Sequence, residues 1–257
     1  IHGSIVPVFC GAATKLWGVW TLLDKITESF PRHTAKKNEL LADGNEIEIS
    51  PEGEPAIFVF KTVADPFVGK MSYIKVLSGV LKTNGEVVNA TTGETEKVGK
   101  LVSLCGRKQT EVAEAVAGDI VVATKMNVNT NDTICDSSRV VNFEAVTYPN
   151  PCYKMAVKAK AQGDESKISN AISRLLEEDL SIKYVNNSET KQLTISGLGD
   201  IHLDIVVSKL KNRFGANVEL TKPKIAYRET IKKKVDVEGK HKKQSGGSGQ
   251  YGHVKIR

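Results

Sequence analysis

Residues 164–221 read DESKISNAISRLLEEDLSIKYVNNSETKQLTISGLGDIHLDIVVSKLKNRFGANVELT, and the period of their apolar positions changes repeatedly. Ile168, Ala171, Ile172, Leu175 and Leu176 recur at the i, i+3, i+4, i+7, i+8 spacing of one helical face. Asp164 stands where an N-cap belongs. Then come two strand-like runs, SIKYVNN and KQLTISG. Helical spacing returns in Leu203, Val206, Val207, Leu210 and Phe214, Gly215 supplies a stop, and NVELT reads as a last strand. With a strand opening the segment after Tyr148, the order over 148–222 is β-α-β-β-α-β, the ferredoxin-like split.

Upstream, residues 56–147 hold short β-branched runs (AIFVFKTVAD, MSYIKVLSGVLK, KVGKLVSLC, DIVVATKM) separated by PFVGK, TNGE and VAGD. Strands at that spacing with Gly and Asn turns predict an antiparallel barrel or sandwich. Residues 35–55, rich in Asp, Glu, Asn and Gly over 43–54, read as a linker. Residues 1–34 carry a short apolar strand (Ile5, Val6, Val8, Phe9) and then Leu16, Val19, Trp20, Leu23, Ile26 and Phe30 on one helical face up to Pro31. One strand and one helix do not make a core, so this piece reads as the remnant of a domain. The expected fold is therefore multidomain α+β, an antiparallel β-barrel or sandwich followed by a ferredoxin-like domain, flanked by partial domains.

Composition bounds the function. Of 257 residues 40% are hydrophobic and 26% charged, a globular balance that excludes disorder as the default. No apolar run approaches the roughly 20 residues of a membrane span, so no membrane partner is expected. Four cysteines, Cys10, Cys105, Cys135 and Cys152, form no CxxC pair, which argues against zinc and for reduced thiols in a cytoplasmic protein. No metal site is expected. Residues 222–257 hold eleven Lys/Arg against three Asp/Glu within a chain of net charge +6, so everything before them is slightly acidic. A segregated cationic end suits a polyanionic partner.

Within that end, Lys240, His241, Lys242 and Lys243 precede a glycine run, and Lys and His can neutralise phosphates without reading sequence. Glycine and like charge predict a mobile loop over 240–249. The alternation of Tyr251, His253, Lys255 and Arg257 with Val254 and Ile256 predicts that a strand follows. Asp200, His202 and Asp204 resemble a catalytic cluster, but positions i, i+2 and i+4 do not all share a helix face. Asp200 is expected to cap the helix and His202 to be structural. Asp65, Pro66 and Gly69 read as a turn between barrel strands.

PVFCGAATKLWGV, DPFVGKMSYIKVLSGVLK, GLGDIHLDIVVSKL, PKIAYRETI and GKHKKQSGGSGQYGHV occur in an order and at spacings that resemble the elongation factor G family, the ribosomal translocase GTPases. AYRETI followed by SGGSGQYGH is the most specific part of the match, while DPFVGK is shared more widely among translational GTPases. The resemblance implies that residues 1–34 are the end of a GTPase domain, 56–147 the second-domain barrel, 148–222 the third domain and 223–257 the start of the fourth. It implies a longer parent that hydrolyses GTP with Mg²⁺ and moves tRNA and mRNA on the ribosome. Neither a GxxxxGK[ST] phosphate loop nor NKxD occurs in this sequence, so the chain alone is expected to be no enzyme and to hold no cofactor.

What the resemblance leaves of the guanine site is the loop Gly11, Ala12, Ala13, where the family's CGSA has become CGAA. In the basic end it adds Ser248, Gln250, Tyr251 and His253 as ribosome-contacting residues beside Lys240, His241, Lys242 and Lys243. Ser248 replaces the arginine of the family's SGGRGQYGH, which points to a paralogue or divergent lineage. The family also carries histidine where His202 stands, and its barrel uses the region of Asp65 to contact small-subunit ribosomal RNA. Two other readings stand beside translocation: a ribosomal protection protein of the tetracycline-resistance type, and a free-standing, non-enzymatic RNA-binding module.

Overall fold

The computed structural model describes residues 5–31, 35–65, 68–106, 108–161 and 163–257. Its first segment differs from expectation. Ile5, Val6 and Val8 are exposed and form no strand. Among the described residues no neighbouring strand offers them backbone partners, and a lone strand leaves its amide and carbonyl groups without a ladder. A single 3₁₀ turn at Ala13–Lys15 precedes helix α1 (Val19–Ser29), which begins three residues later than Leu16 because Leu16 and Gly18 both have positive φ. The apolar side chains of Trp20, Leu23 and Ile26 remain exposed.

The stretch expected to be a linker folds. Strands β1 (Asn38–Leu40) and β2 (Glu46–Glu48) form an antiparallel hairpin. Its polar turn holds itself: the Asp43 carboxylate accepts the Asn45 backbone N–H at 2.9 Å and the side-chain amide at 2.8 Å. Ile47, the lone apolar residue of β2, is buried with Leu41 against Ala56, Leu77 and Phe143. A composition that reads as linker is here the turn of a hairpin docked on the barrel.

Ten strands follow: β3 (Ala56–Asp65), β4 (Gly69–Ser78), β5 (Val80–Lys82), β6 (Glu86–Asn89), β7 (Thr95–Lys97), β8 (Leu101–Cys105), β9 (Lys108–Val112), β10 (Glu114–Val116), β11 (Ile120–Thr124) and β12 (Thr133–Cys135). Eight form one antiparallel sheet in the order β7-β6-β12-β3-β4-β11-β8-β9, and β5 pairs with β10. One core takes Ile57 and Val59 from β3, Val87 from β6, Leu101 from β8, Ala115 from β10, Val121 from β11 and Ile134 from β12. Strands far apart in sheet order can fill one core only if the sheet curls round it, which gives the barrel. Pro66 lies outside the described residues, and the Asp65 carboxylate accepts the Val68 N–H at 2.9 Å between β3 and β4.

The second body contains β13 (Tyr153–Ala159), α2 (Glu165–Glu178), β14 (Lys183–Asn187), β15 (Gln192–Gly197), α3 (Asp200–Phe214) and β16 (Val218–Thr221), with sheet order β14-β15-β13-β16. The stripe on α2 (Ile168, Ala171, Ile172, Leu175) and that on α3 (Leu203, Val206, Leu210) are buried together on Ile195 and Val218. Gly215, at φ 62°, ends α3, and the N–H groups of Gly215 and Ala216 return to the Lys211 and Leu210 carbonyls.

The two expected caps are not made. Asp164 occupies the N-cap position of α2, but its side chain makes no capping bond. Gly199 is the N-cap of α3, and Asp200 is the first residue inside it, its carboxylate accepting the Ile201 N–H at 2.8 Å. Asp200 still meets the positive end of the helix dipole. His202 is a structural tie: Nδ1 accepts the Leu198 N–H at 3.1 Å, and Nε2 lies 2.9 Å from Asp179 Oδ2 at the far end of α2.

After an irregular stretch, β17 (Val237–Gln244) and β18 (Gly249–Ile256) form a two-stranded ribbon paired along its whole length.

Candidate nucleic-acid interface

The cationic end is not the loop expected over 240–249. β17 carries Lys240 to Gln244 as paired strand and leaves only residues 245–248 for the turn. Antiparallel pairing supplies backbone partners to a chain whose like charges alone would favour disorder. The strand expected from Tyr251 onward is present as β18.

Register sorts the side chains. Lys240 lies opposite His253, Lys242 opposite Tyr251 and Glu238 opposite Lys255, while His241 faces Gly252, Lys243 faces Gln250 and Gly239 faces Val254. Directly opposed residues share a face and successive residues alternate. One face therefore gathers Lys240, Lys242, Tyr251, His253 and Lys255. The other carries Val237, Val254 and Ile256, with His241, Lys243 and Gln250 nearer the turn. The eight residues expected to act together are thus split: Lys240, Lys242, Tyr251 and His253 come together, His241, Lys243 and Gln250 sit on the reverse, and Ser248 lies in the turn.

Electrostatics grade the charged face along its length. At the base, Glu238 pairs with His253 and stands 3.7 Å from Lys255, and Arg257 stands 3.5 Å from Asp236. Among the described residues Lys240, Lys242 and Lys243 have no carboxylate within ion-pairing distance. The distal half is the part free to meet a polyanion, with Tyr251 exposed beside Lys242 as a flat surface on which a base can stack. Lys255 belongs to this face and was not among the residues expected there; strand parity through Tyr251 and His253 was the signal.

The remnant guanine loop is a tight turn. The Ala12 N–H donates to the Trp17 carbonyl at 3.1 Å, the Trp17 N–H returns to Ala12 O at 3.2 Å, and Lys15 lies over the Trp17 ring at 4.8 Å. A Cβ on Gly11 would stand 2.8 Å from the Trp17 carbonyl oxygen, so this approach needs glycine. The hollow beside it holds about 200 Å³, below the 300–1,000 Å³ usual for ligand sites. The Ala12 amide is engaged within the turn, and the hollow by itself is too small to enclose a whole nucleotide. Among the described residues no group of three or more His, Cys, Asp or Glu side chains could hold a metal, and no helix is long and apolar enough to cross a membrane.

Three family models match the chain in sequence order: Elongation factor G domain 2 over 54–137, Elongation Factor G, domain III over 148–222, and Elongation factor G, domain IV over 223–257. Over its full length the chain is 40% identical to elongation factor G of Fervidobacterium nodosum, and it spans 38% of that protein. A crystal structure from Thermus thermophilus superposes with a TM-score of 0.67 at 33% identity, covering 93% of this chain and 34% of that one.

Proposed function

Because the chain belongs to the elongation factor G family, we propose that it supplies the docking and hinge domains of a cytoplasmic translational GTPase that moves tRNA and mRNA on the ribosome. In this reading GTP and Mg²⁺ are held by parts of the longer protein outside these residues. The chain's own task is to present the barrel, the ferredoxin-like domain and the ribbon to ribosomal RNA. The observation that carries the reading is the ribbon's distal charged face, where Lys240 and Lys242 have no ion-pair partner among the described residues and stand beside the exposed Tyr251, on a chain that is otherwise slightly acidic. Such a face gains affinity for phosphates through counterion release and needs no base sequence.

The test is filter binding of the chain to ribosomes across a salt series. Replacing both Lys240 and Lys242 by Gln should weaken binding and make the slope of log K against log salt shallower by up to about 0.7–0.9 for each phosphate no longer neutralised. Lys243→Gln, on the reverse face, should change the slope less, and Ser248→Arg should strengthen binding. An unchanged affinity and slope in the double variant would mean that the lysines are merely solvated and the ribbon does not touch the ribosome.

A further inference from the structure

The barrel and the ferredoxin-like domain have separate apolar cores. The hydrogen bonds and ion pairs described between them centre on Ala64 of β3 and Lys70 of β4. β12 pairs with β3 as far as Phe58 and the residues just before β12 bond Val59, after which the outer edge of β3 is left without a paired strand. Ala64 pairs with Lys70 of β4 on its inner side. On its outer side both of its backbone groups are taken by side chains of the second domain. The Ala64 N–H donates to Glu178 Oε1 at 2.8 Å, and the Ala64 carbonyl accepts from Arg213 Nη2.

Those two side chains also hold each other. Arg213 Nη1 lies 2.9 Å from one Glu178 carboxylate oxygen and 3.0 Å from the other. Lys209, one turn before Arg213 on α3, approaches Glu178 at 3.5 Å. The Glu178 side chain is only 7% exposed. Across the turn, Lys70 Nζ is 3.3 Å from Glu177 and donates to Asn129 at 2.8 Å. Both strands flanking the Asp65–Gly69 turn are thus gripped by consecutive glutamates at the end of α2.

We infer that Glu178 is the keystone of a releasable clasp that sets the orientation of the ferredoxin-like domain on the barrel. The Glu178–Arg213 pair acts as a substitute for a missing strand, presenting one acceptor and one donor to the exposed edge of β3. A joint made of ionic and backbone hydrogen bonds can open into water and close again, because the groups it frees are hydrated and neither core is uncovered. An apolar joint of the same size would expose hydrophobic surface on opening.

The test uses neither ribosome nor nucleotide, so its outcome stands apart from the ribosomal reading. Spin labels are placed on Cys105 of the barrel and on a Lys211→Cys substitution in α3, with Cys10 and Cys152 replaced by Ser, and the distance distribution is measured. Glu178→Ala and Arg213→Ala should each broaden a single narrow distribution. In the same variants hydrogen exchange at the Ala64 amide should accelerate by on the order of 10- to 100-fold in Glu178→Ala, from the loss of a charge-assisted bond, and far less in Arg213→Ala, which leaves that acceptor in place. Glu178→Gln keeps an acceptor for Ala64 but loses the ion pair, and should fall between. If Glu178→Ala does not fold, Arg213→Ala and Glu178→Gln carry the test. A distance distribution unchanged in the folded variants would overturn the clasp.

Discussion

Replacing Asp179 by Asn should destabilise the ferredoxin-like domain nearly as much as replacing it by Ala. The Asp179 carboxylate accepts the Ser181 N–H at 2.9 Å, the Ser181 hydroxyl, and the His202 ring at 2.9 Å. Because His202 Nδ1 already accepts the Leu198 N–H, the neutral ring must carry its proton on Nε2 and needs an acceptor there. An Asn side chain has one acceptor oxygen. If that oxygen faces Ser181, its NH₂ meets the Nε2–H donor; if it faces His202, its NH₂ meets the Ser181 N–H. Either way two donors oppose each other around a largely buried Ser181.

Bonds to a charged acceptor contribute about 1.5–3 kcal/mol each, but Asp179 remains 30% exposed, and water can take over part of the network. A loss of about 2–4 kcal/mol is expected for Asp179→Ala and of about 2–3 kcal/mol for Asp179→Asn. Burial pushes the Asp179 carboxyl up, but the Ser181 hydroxyl, the Ser181 N–H and the His202 ring together outweigh it and hold the group below its ordinary value. A depressed folded pKa gives stability that is fully present above the unfolded value, about 3.9, and is lost as pH falls through the folded value. The gap between wild type and Asp179→Asn should therefore be full at pH 7 and shrink below about pH 4. Native-state hydrogen exchange of the α2 and α3 amides on the full chain reads this domain separately from the barrel. An Asn variant within about 0.5 kcal/mol of wild type at pH 7 would refute the donor argument.

Two further outcomes follow from packing in the same domain. Ile172→Ala, at a fully buried position between α2, α3 and the sheet, should cost about 2–5 kcal/mol in urea unfolding. Gly197→Ala places a Cβ 2.8 Å from Leu203 Cδ2 and 3.1 Å from His202 Nδ1, and should cost about 1–3 kcal/mol by the same measurement, with faster exchange at the Leu198 amide.

The ferredoxin-like domain was legible because its signals are local. Ile168 to Leu175 repeat with the helix, Gly215 marks the stop, and all are neighbours in sequence. What sequence did not show depends on partners elsewhere. Ile5, Val6 and Val8 have strand chemistry, but a strand needs another strand. Ile47 is a single apolar residue in a polar stretch, and only its burial against Phe143 and Leu77 makes a hairpin of a linker. Asp200 has the chemistry of a cap, yet the chain enters α3 one residue earlier, through Gly199. Glu178, on an ordinary charged helix end, becomes a joint only through Ala64, 114 residues away. The two faces of the ribbon were within reach, since parity follows from the alternation at Tyr251 and His253; reading 240–249 as a loop hid that parity from Lys240 to Lys243.

The cations of this chain do two kinds of work, and pairing separates them where net charge does not. Lys70, Lys209 and Arg213 each meet a carboxylate of α2; Lys70 does so from the barrel and Arg213 also meets the Ala64 carbonyl, so these two fix one domain against the other, while Lys209 supports Glu178 from within its own domain. Transferring Arg213 to RNA would break the closest ion pair of the buried Glu178, a cost of up to about 3–5 kcal/mol that the remaining Lys209 and Ala64 N–H contacts would lessen. Lys240 and Lys242 meet no carboxylate among the described residues. Bringing them to a phosphate breaks no described ion pair and releases cations condensed on the nucleic acid, so binding is driven by counterion release, weakens as salt rises, and is not opposed by folding energy. The salt slope should therefore respond to Lys240 and Lys242, and the orientation of the domains to Glu178 and Arg213. A variant of either pair that altered both readouts would show that ribbon and clasp are coupled.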